Sequence, residues 1–431
     1  MASQAKPLRI GIAGLGTVGS GVLALLARDP GRYAPLLTVA GVSARSRSIK
    51  RPVDISGYAW FDDPVEMAES DDIDVLVELI GGSDGPAKRA VEVALARGAH
   101  VVTANKALLA EHGADLAALA EAQGASLAFE AAVGGGMPVV KAVRDSLAAA
   151  DIRSISGILN GTCNFLLTEM ERSGRAYDEV LAEAQRLGYA EKDPSFDVGG
   201  IDAAHKITLL AAIAFSTPPD FALAEIEGVE GVTLLDIQMA QRLGYRIKLL
   251  AKAERLGETV RIRVHPALVG LSHPLASVGG TLNAALVEAD PIGPLTFVGR
   301  GAGAGPTAVA VVADLLDIVQ GRAAPPFGRA LAGLRPLLPA KRADLAGNFY
   351  LRLLVSVRAG VSAAVSNALA TAGVSIESFL QSPTADGSVV PIVLTTRTCP
   401  RPALDAAVAA IARRDELTEP PRVFTVEDAH P

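Results

Sequence analysis

The sequence predicts an α/β protein made of three successive units: an N-terminal doubly wound parallel sheet, a central α+β unit and a C-terminal ferredoxin-like β-α-β-β-α-β unit. The chain has 431 residues, more than the roughly 250–300 that one hydrophobic core accommodates. Apolar strand-like runs alternate with helical runs in the first third of the chain, whereas helices followed by strand pairs occupy the middle. Together, length and element order favour a multi-domain enzyme scaffold.

The boundaries follow changes in sequence texture. We expect residues 1–145 to form the first unit, residues 146–321 the central unit and residues 349–431 the last. The stretch 322–348 is rich in proline and basic residues and is interpreted as a linker. The helical run 306–321 is a candidate to pack back on the first unit.

Composition excludes several classes of protein. Half of the residues are hydrophobic, the formal charge is −7 and no Lys/Arg run occurs, so neither nucleic acid nor a membrane is an expected partner. Two cysteines, Cys163 and Cys399, cannot build a zinc cluster, and the six histidines show no ligand spacing. The start of the chain lacks the apolar core of a signal peptide, which favours a cytoplasmic location.

The first motif is a glycine turn between a strand and a helix. Gly14, Gly16 and Gly19 form G-x-G-x-x-G directly after the first predicted strand. Glycine allows the tight turn and the close backbone approach, and the helix N-terminus then faces a pyrophosphate. This context predicts a Rossmann-type dinucleotide-binding unit, because the same glycines elsewhere would be weak evidence.

The end of the second strand bears on the choice of nicotinamide cofactor. NAD-binding proteins carry an acidic residue there, whereas this strand ends at Gly41–Arg45 with Arg47 and Lys50 just beyond. The planar guanidinium of Arg45 is suited to a 2′-phosphate, so NADP is favoured over NAD. Solvated loop charges are the alternative interpretation of the same residues.

A lysine follows a later strand of the same sheet. The segment Thr103–Lys106 lies where ligands bind in open α/β sheets, at the carboxyl ends of the strands. Lys106 could therefore reach a substrate carboxylate or the nicotinamide, although a lysine at a strand end is more often a solvated charge.

A glycine-rich turn follows further along the chain. The segment from Glu130 to Pro138 contains three consecutive glycines, which expose backbone carbonyls beside a glutamate. Oxygen ligands of this kind suit a hard cation, and a plain interdomain turn is the alternative interpretation.

The most informative motif lies in the central unit. Four acids and two lysines fall within 16 residues, ending in Asp202 and Lys206, which are four apart and share one helix face. The rest of that helix is strongly apolar, which places this pair in a cleft rather than at the surface. Such a lysine can act as a proton donor or acceptor. The full pattern comprises Ala184, Gly188, Tyr189, Ala190, Glu191, Lys192, Asp193, Pro194, Asp197, Val198, Gly200, Asp202 and Lys206.

This pattern resembles the signature of the homoserine dehydrogenase family, in its monofunctional bacterial form with a C-terminal ACT domain. Further resembling segments occur in the family's order, and the resemblance spans essentially the whole chain: GLGTVG, TANKALLA, EAAVGGGMP, NGTCNF and Gly299–Thr307. The resemblance implies reversible NAD(P)H-dependent reduction of L-aspartate 4-semialdehyde to L-homoserine, on the branch toward threonine, methionine and isoleucine.

The resemblance also implies roles for individual residues. Lys206 would donate the proton, Asp202 would be its partner, Glu191 would bind the substrate amino group, and Asp197 would fix the same polar end. Lys106 would lie between nicotinamide and substrate. Thr17 and Val18 would join the phosphate turn, with Gly301 and Gly303 beside the cofactor. The segment matching the family's sodium site supplies Glu130, Val133, Gly135 and Met137.

The last unit resembles an ACT domain, an amino-acid-sensing module, which implies threonine as an effector. Its first strand–helix turn reads Val357-Arg358-Ala359-Gly360, without the Asp and Pro common in ACT domains, so an assembly role is the alternative. A turn is predicted at Ala385-Asp386-Gly387 within this unit. Family precedent implies a homodimer through the central, substrate-binding unit, or a homotetramer through the last.

Two other functions fit parts of the sequence. A related reductase acting on another amino-acid aldehyde or imine would keep the fold and change the substrate. A silent NADP-binding sensor would need none of the charged cleft residues. The presence of Glu191, Asp202 and Lys206 favours the dehydrogenase over both.

Overall fold

Two β-sheets organise the chain in the computed structural model, which describes residues 6–322, 324–381 and 389–428. The turn predicted at Ala385-Asp386-Gly387 lies outside the described residues. Across the described ranges, no helix is both long and apolar enough to cross a bilayer.

The N-terminal unit is a six-stranded sheet in the order β3-β2-β1-β4-β5-β6, and every neighbouring pair is parallel. The predicted doubly wound parallel sheet is confirmed. Its strands are apolar along their length because helices cover both faces. The elements are β1 (Leu8–Ala13), α1 (Thr17–Arg28), α2 (Pro30–Tyr33), β2 (Leu37–Ser43), β3 (Ala59–Phe61), α3 (Pro64–Glu69), β4 (Val75–Glu78), α4 (Pro86–Ala96), β5 (His100–Thr103), α5 (Lys106–Gln123) and β6 (Leu127–Ala128).

The central unit combines helices with long antiparallel strands. The two hairpins that the sequence predicts are present, since β9 pairs with β10 and β11 pairs with β12. The elements are α6 (Val139–Lys141), β7 (Asp151–Ile158), α7 (Gly161–Ser173), α8 (Tyr177–Arg186), α9 (Ser195–Val198), α10 (Ile201–Phe215), β8 (Ala224–Ile226), α11 (Leu234–Arg242), β9 (Tyr245–Leu256), β10 (Thr259–Gly270), β11 (Leu282–Asp290), β12 (Gly293–Arg300) and α12 (Ala304–Val319).

Helix α12 packs on the N-terminal unit rather than on the sheet that precedes it. Val311 and Leu315 are buried in the same cluster as Ile10 and Val22. The backbones of α12 and α1 come so close that a Cβ at Gly21 would lie 2.6 Å from the carbonyl oxygen of Ala304. The helix therefore completes the nucleotide-binding unit from a distant part of the sequence.

The C-terminal unit has the element order β-α-β-β-α-β. Its main strands run β18-β14-β16-β15, each antiparallel to its neighbour, and one core joins the sheet to both helices. The elements are β13 (Leu338–Pro339), β14 (Ala346–Ser356), α13 (Val361–Thr371), β15 (Ile376–Gln381), β16 (Val389–Thr396), β17 (Cys399–Pro400), α14 (Arg401–Ala412) and β18 (Arg422–Glu427).

The central and C-terminal units share one continuous sheet. Strand β18 pairs in parallel with β10, producing the order β12-β11-β7-β9-β10-β18-β14-β16-β15. Buried ion pairs reinforce the junction: Glu427 accepts hydrogen bonds from Lys252 at 2.8 Å and from Arg263 at 2.7 Å. Between the units, Phe327 is buried against Phe129, and β13 pairs with β10. The described part of residues 322–348 is thus anchored at Phe327 and at β13, although most of its residues are exposed.

Candidate active site

A glycine turn joins β1 to α1 at the carboxyl edge of the parallel sheet. Gly14 has a φ of +101°, and a Cβ there would lie 2.5 Å from the carbonyl oxygen of Leu79. A Cβ at Gly19 would lie 2.0 Å from the carbonyl oxygen of Gly14. Gly16, in contrast, has nothing within 4 Å of its Cβ position. The turn thus needs glycine at two positions for its own packing and leaves open space at the third.

The start of α1 faces this open space. No side chain caps the helix, so the N–H groups of its first residues, including Thr17 and Val18, are available to a ligand. A helix N-terminus with free N–H groups attracts anions through hydrogen bonds and the helix dipole. The turn therefore has the geometry that a dinucleotide pyrophosphate requires.

A cavity of about 530 Å³ continues from the glycine turn along the ends of β2 and β4. Arg45, Arg51 and Arg89 line it, and Arg45 is exposed. Asp62 and Asp63 line it as well, but the first accepts the Trp60 Nε1–H at 2.7 Å and the second caps α3. The cavity has the dimensions of a ligand site, and its basic wall suits a phosphate.

The loop between β12 and α12 lies beside the glycine turn. A Cβ at Gly135 would be 2.5 Å from the carbonyl oxygen of Gly301, and Gly303 has a φ of +116°. Ala304, which follows this loop as the first residue of α12, approaches Gly21 on α1, so the loop runs from the Gly135 turn to the first helix of the nucleotide-binding unit.

Lys106 is the first residue of α5, at the carboxyl end of β5. Asn105 caps this helix, since its Oδ1 accepts the backbone N–H of Leu108 at 3.1 Å. Thr103 donates to Glu78 Oε2 at 2.6 Å, and its hydroxyl accepts the N–H of Asn105 at 2.9 Å. Neighbouring strand ends thus fix the turn that directs Lys106 toward the central unit.

Lys106 and Lys206 meet at one carboxylate. Lys206 Nζ lies 2.7 Å from Asp202 Oδ2, and Lys106 Nζ lies 3.3 Å from Asp202 Oδ1. Lys206 also donates to the carbonyl oxygen of Leu159 at 2.7 Å. Asp202 and Lys206 are buried, whereas about a third of the Lys106 side chain is exposed. The cluster places two ammonium groups and one carboxylate at the junction of the first two units.

Asn160 connects this cluster to Asp197. Its Nδ2 donates to Asp197 Oδ1 at 2.8 Å and to Asp202 Oδ2 at 2.9 Å, while its Oδ1 accepts the N–H of Cys163. The Asn160 side chain therefore both begins α7 and fixes the separation of the two carboxylates. Thr162 donates to the carbonyl oxygen of Tyr189 at 2.7 Å, which ties α7 to the loop that carries Glu191.

The two carboxyl groups have pKa values that move in opposite directions. Burial alone would raise the pKa of Asp202, but the adjacent Lys206 and Lys106 ammonium groups hold it well below its ordinary value. Burial raises the pKa of Asp197, and the negative charge of Asp202 adds to this rise. Asp202 is therefore a permanent anion that pairs with the two lysines, and Asp197 is the more readily protonated of the two.

The structure brings together Lys106, Asp197, Asp202 and Lys206 but leaves Glu191 apart. Glu191 is exposed on the loop between α8 and α9 and makes no ion pair with those four in the described structure. Three groups that sequence reasoning gave no role are central here: the Asn160 amide, the Leu159 carbonyl and the Phe196 ring. The ammonium of Lys106 lies 5.7 Å from the centroid of the Phe196 ring.

The proposed cation segment has a buried carboxylate at its start. Glu130 accepts the backbone N–H of Val140 at 3.1 Å and of Lys141 at 2.8 Å, one with each oxygen. Burial raises the pKa of Glu130 to about 7. Since its carboxylate already serves α6, a cation at this segment would be held by backbone carbonyls of Glu130, Val133, Gly135 and Met137, which are oxygen ligands of the right kind.

Comparisons with known proteins agree with this geometry. Residues 14–130 match the family model of the homoserine dehydrogenase NAD-binding domain, and residues 138–316 match that of homoserine dehydrogenase. A homoserine dehydrogenase of Neisseria gonorrhoeae is 42% identical over 99% of this chain and 100% of its own length. The crystal structure of a homoserine dehydrogenase from Thiobacillus denitrificans has 41% identity and a TM-score of 0.91, over 98% of this chain and 99% of that one.

A third relative adds a bound cofactor. The structure of a hyperthermophilic archaeal homoserine dehydrogenase mutant in complex with NADPH shares 28% identity, with a TM-score of 0.64 over 73% of this chain and 98% of that one. Two family models and full-length relatives above 40% identity agree with the glycine turn and the lysine–aspartate cluster. The chain therefore belongs to the homoserine dehydrogenase family of oxidoreductases, with a nucleotide-binding domain of the Rossmann type.

Proposed function

We propose that this protein catalyses the reversible reduction of L-aspartate 4-semialdehyde to L-homoserine with NADPH, and that Lys206 transfers the proton. One observation carries the mechanism: the ammonium groups of Lys206 and Lys106 lie 2.7 and 3.3 Å from the same buried carboxylate of Asp202. The two ammonium groups would stabilise the negative charge that an aldehyde oxygen gains during reduction.

One of the three N–H groups of Lys206 has no partner assigned to it in this site. A lysine ammonium has three N–H bonds, and two of those of Lys206 point to Asp202 and Leu159. The third is free for the substrate oxygen. In the reductive direction the carbonyl carbon accepts a hydride, the oxygen accepts this proton, and the C=O bond becomes an alcohol. In the oxidative direction Lys206 must be neutral to accept the proton, so oxidation is expected to favour alkaline pH.

Lys106 has a different role from Lys206. Its side chain is more exposed, contacts Asp202 at a longer distance and starts a helix of the nucleotide-binding unit. It would stabilise the developing oxyanion from the cofactor side. The rest of the substrate would lie toward Asp197 and Glu191, whose carboxylates suit the amino group.

NADPH supplies the hydride when bound. The glycine turn with Thr17 and Val18 would hold the pyrophosphate, and Gly301 and Gly303 would close beside it. Arg45 on the cavity wall would bind the 2′-phosphate, which favours NADP over NAD. The archaeal relative that holds NADPH supports this assignment.

A sodium ion is proposed at the turn after Glu130. Its ligands would be the carbonyl oxygens of Glu130, Val133, Gly135 and Met137, and its role would be to stiffen the turn that contacts Gly301. Replacing sodium chloride with choline chloride at constant ionic strength should lower thermal stability or cofactor affinity. Identical values in both salts would contradict the site.

Two roles are open for the C-terminal unit, which we propose to be ACT-like. Threonine feedback is the first, and assembly of a homodimer or homotetramer is the second. Gly360 has a φ of +89° and is the N-cap of α13, while Val357 and Ala359 replace the usual Asp and Pro. Inhibition by threonine would support sensing, and a homodimer or homotetramer in solution that threonine does not inhibit would support assembly.

The test of the proposed function is an initial-rate assay that follows nicotinamide absorbance with aspartate semialdehyde and either NADPH or NADH, with and without threonine. Rapid, NADPH-preferring turnover is the expected result. A parallel panel of other amino-acid aldehydes checks the alternative substrate class. Folded protein that binds NADPH but turns over none of these substrates would contradict the proposal.

A further inference from the structure

A second cavity lies between the central and C-terminal units. None of its lining residues belongs to the cavity at the glycine turn. Its volume is about 320 Å³. Strands β8 and β10 form one wall, and β18, the start of α14 and Arg342 form the other. The cavity therefore exists only because the two units share a sheet.

The wall of this cavity is rich in guanidinium groups. Arg261, Arg263, Arg342 and Arg401 all line it, against two acidic residues, Glu225 and Glu227. The planar, five-donor guanidinium is suited to oxyanions and stays charged under all ordinary conditions. Four such groups around one small volume predict an anion as the occupant.

The carboxylates nearby engage only part of the donors. Arg261 lies 3.3 Å from Glu225, Arg263 lies 2.7 Å from Glu427, and Arg342 and Arg401 share Asp405 at 2.8 and 2.9 Å. Arg263 also lies 3.7 Å from Glu254. Each arginine is therefore paired with a carboxylate, but these ion pairs use only some of its five N–H donors.

Three nitrogens of the lining are buried and have no hydrogen-bond partner among the described residues: Arg261 Nε, Arg263 Nε and His265 Nδ1. Arg263 and His265 are only 7% and 8% exposed, and the other ring nitrogen of His265 bonds Thr425 Oγ1 at 2.6 Å. Buried polar groups without partners are rare in folded proteins, because each forfeits its hydration. Three in one cavity wall indicate that a polar occupant belongs there.

The cavity also touches the helix that carries the catalytic pair. A Cβ at Gly200 would lie 3.0 Å from Val264 Cγ1 and 3.3 Å from Ile226 Cγ2, and both of those residues line the cavity. Gly200 is the N-cap of α10 and lies two residues before Asp202. A shift of β8 or β10 would therefore be felt directly at the N-terminus of α10.

We propose that this interdomain cavity is an effector site for a small oxyanion, a carboxylate or phosphate on a molecule of metabolite size. We also propose that its occupation alters catalysis through α10, a role that rests on the proposed dehydrogenase function. The anion would bridge the arginines of β10 to those of the C-terminal unit. It would thereby tighten the junction against which Gly200 packs.

Binding is tested by isothermal titration calorimetry of the full chain, with succinate and, separately, with inorganic phosphate. Saturable binding of either is expected, and the better ligand identifies the source of the oxyanion. Arg261→Gln and Arg342→Gln should each weaken it by roughly tenfold or more, because a charge-assisted hydrogen bond is lost. Arg153→Gln is the matched control, since Arg153 forms an exposed pair with Asp290 away from the cavity.

Coupling is tested by repeating the dehydrogenase assay at a saturating concentration of the better ligand. A change in kcat or KM is expected for the wild type and the Arg153→Gln control, and a smaller one for Arg261→Gln. No binding, or equal binding by all variants, would overturn the site. Binding without any change in rate would overturn its effector role. The titration needs no turnover, so a failure of the site is distinguishable from a failure of the proposed dehydrogenase reaction.

Discussion

The proposed cofactor turn and the proposed catalytic cluster are built on opposite principles. The turn after β1 is made of consecutive residues and acts through backbone N–H groups, with Gly14 and Gly19 required by packing. The cluster is made of side chains from three separate segments, which meet at the buried carboxylate of Asp202. The first site is therefore sensitive to added volume, and the second is sensitive to altered charge.

The largest expected effect is at the charged site. Lys206→Met should lower kcat by about 10²–10⁴-fold, because the reaction would lose its proposed proton donor, with a smaller change in KM. Initial rates with semialdehyde and NADPH measure this. Lys341→Met, at an exposed lysine of the C-terminal side, is the control and should keep wild-type rates. A raised KM with intact kcat would make Lys206 a binding residue instead.

The next largest effect is a difference in stability between variants of the two carboxylates in the cleft, Asp202 and Asp197. Asp202→Asn leaves Lys206 buried without its counter-ion and should destabilise the protein by about 3–5 kcal/mol at neutral pH. Asp197→Asn removes a carboxylate whose ionised form is disfavoured by burial. This substitution should therefore raise the free energy of unfolding at neutral pH. Urea denaturation of both variants and the wild type measures these differences.

The same pair predicts opposite pH dependences. The folded pKa of Asp202 is depressed, so its stabilising contribution is full above the unfolded pKa and is lost only as pH falls through the folded value in strong acid. The folded pKa of Asp197 is raised, so its contribution becomes unfavourable as pH rises. Between about pH 5 and pH 8, the difference in the free energy of unfolding between the wild type and Asp202→Asn should stay constant. A steep change across that window would contradict the assignment of Asp202 as a permanent anion.

A smaller effect is expected at the glycine turn, where two neighbouring glycines should behave differently. Gly14→Ala should lower stability by about 1–3 kcal/mol, because alanine is strained at a φ of +101° and meets Leu79. Gly16→Ala should change Tm very little, as a neutral surface substitution does. The φ of Gly16 is −77°, and no atom lies within 4 Å of the added Cβ. NADPH fluorescence titration should nevertheless show weaker binding. Unchanged affinity would place the pyrophosphate elsewhere.

The smallest expected effect concerns cofactor choice. Arg45→Gln should reduce the ratio of kcat/KM for NADPH to that for NADH by about tenfold, through loss of one charge-assisted contact to the 2′-phosphate. Arg47→Gln is the matched control, because Arg47 lies within 6 Å of the Trp60 ring centroid rather than on the cavity wall. Equal ratios in both variants would move the specificity to Arg51 or Arg89.

Much of this could be predicted from local sequence. The i, i+4 spacing of Asp202 and Lys206 on an apolar helix predicted a buried pair, and the structure places both on α10 with the lysine 2.7 Å from the carboxylate. Asn160 carried a usable signal as well, since an asparagine between a strand and a helix is a typical N-cap. Its second function, separating Asp197 from Asp202, has no local signature because those partners lie on other elements.

By itself, the sequence determined the order of the elements, the glycine turn and the pairing of Asp202 with Lys206, because each depends on residues a few positions apart. Tertiary structure decided the rest: that Lys106 reaches the same carboxylate, that α12 returns to the first unit, and that β18 extends the central sheet. These depend on where whole elements pack. The arginine-lined cavity depends on packing as well, since its walls come from β10 and from the C-terminal unit.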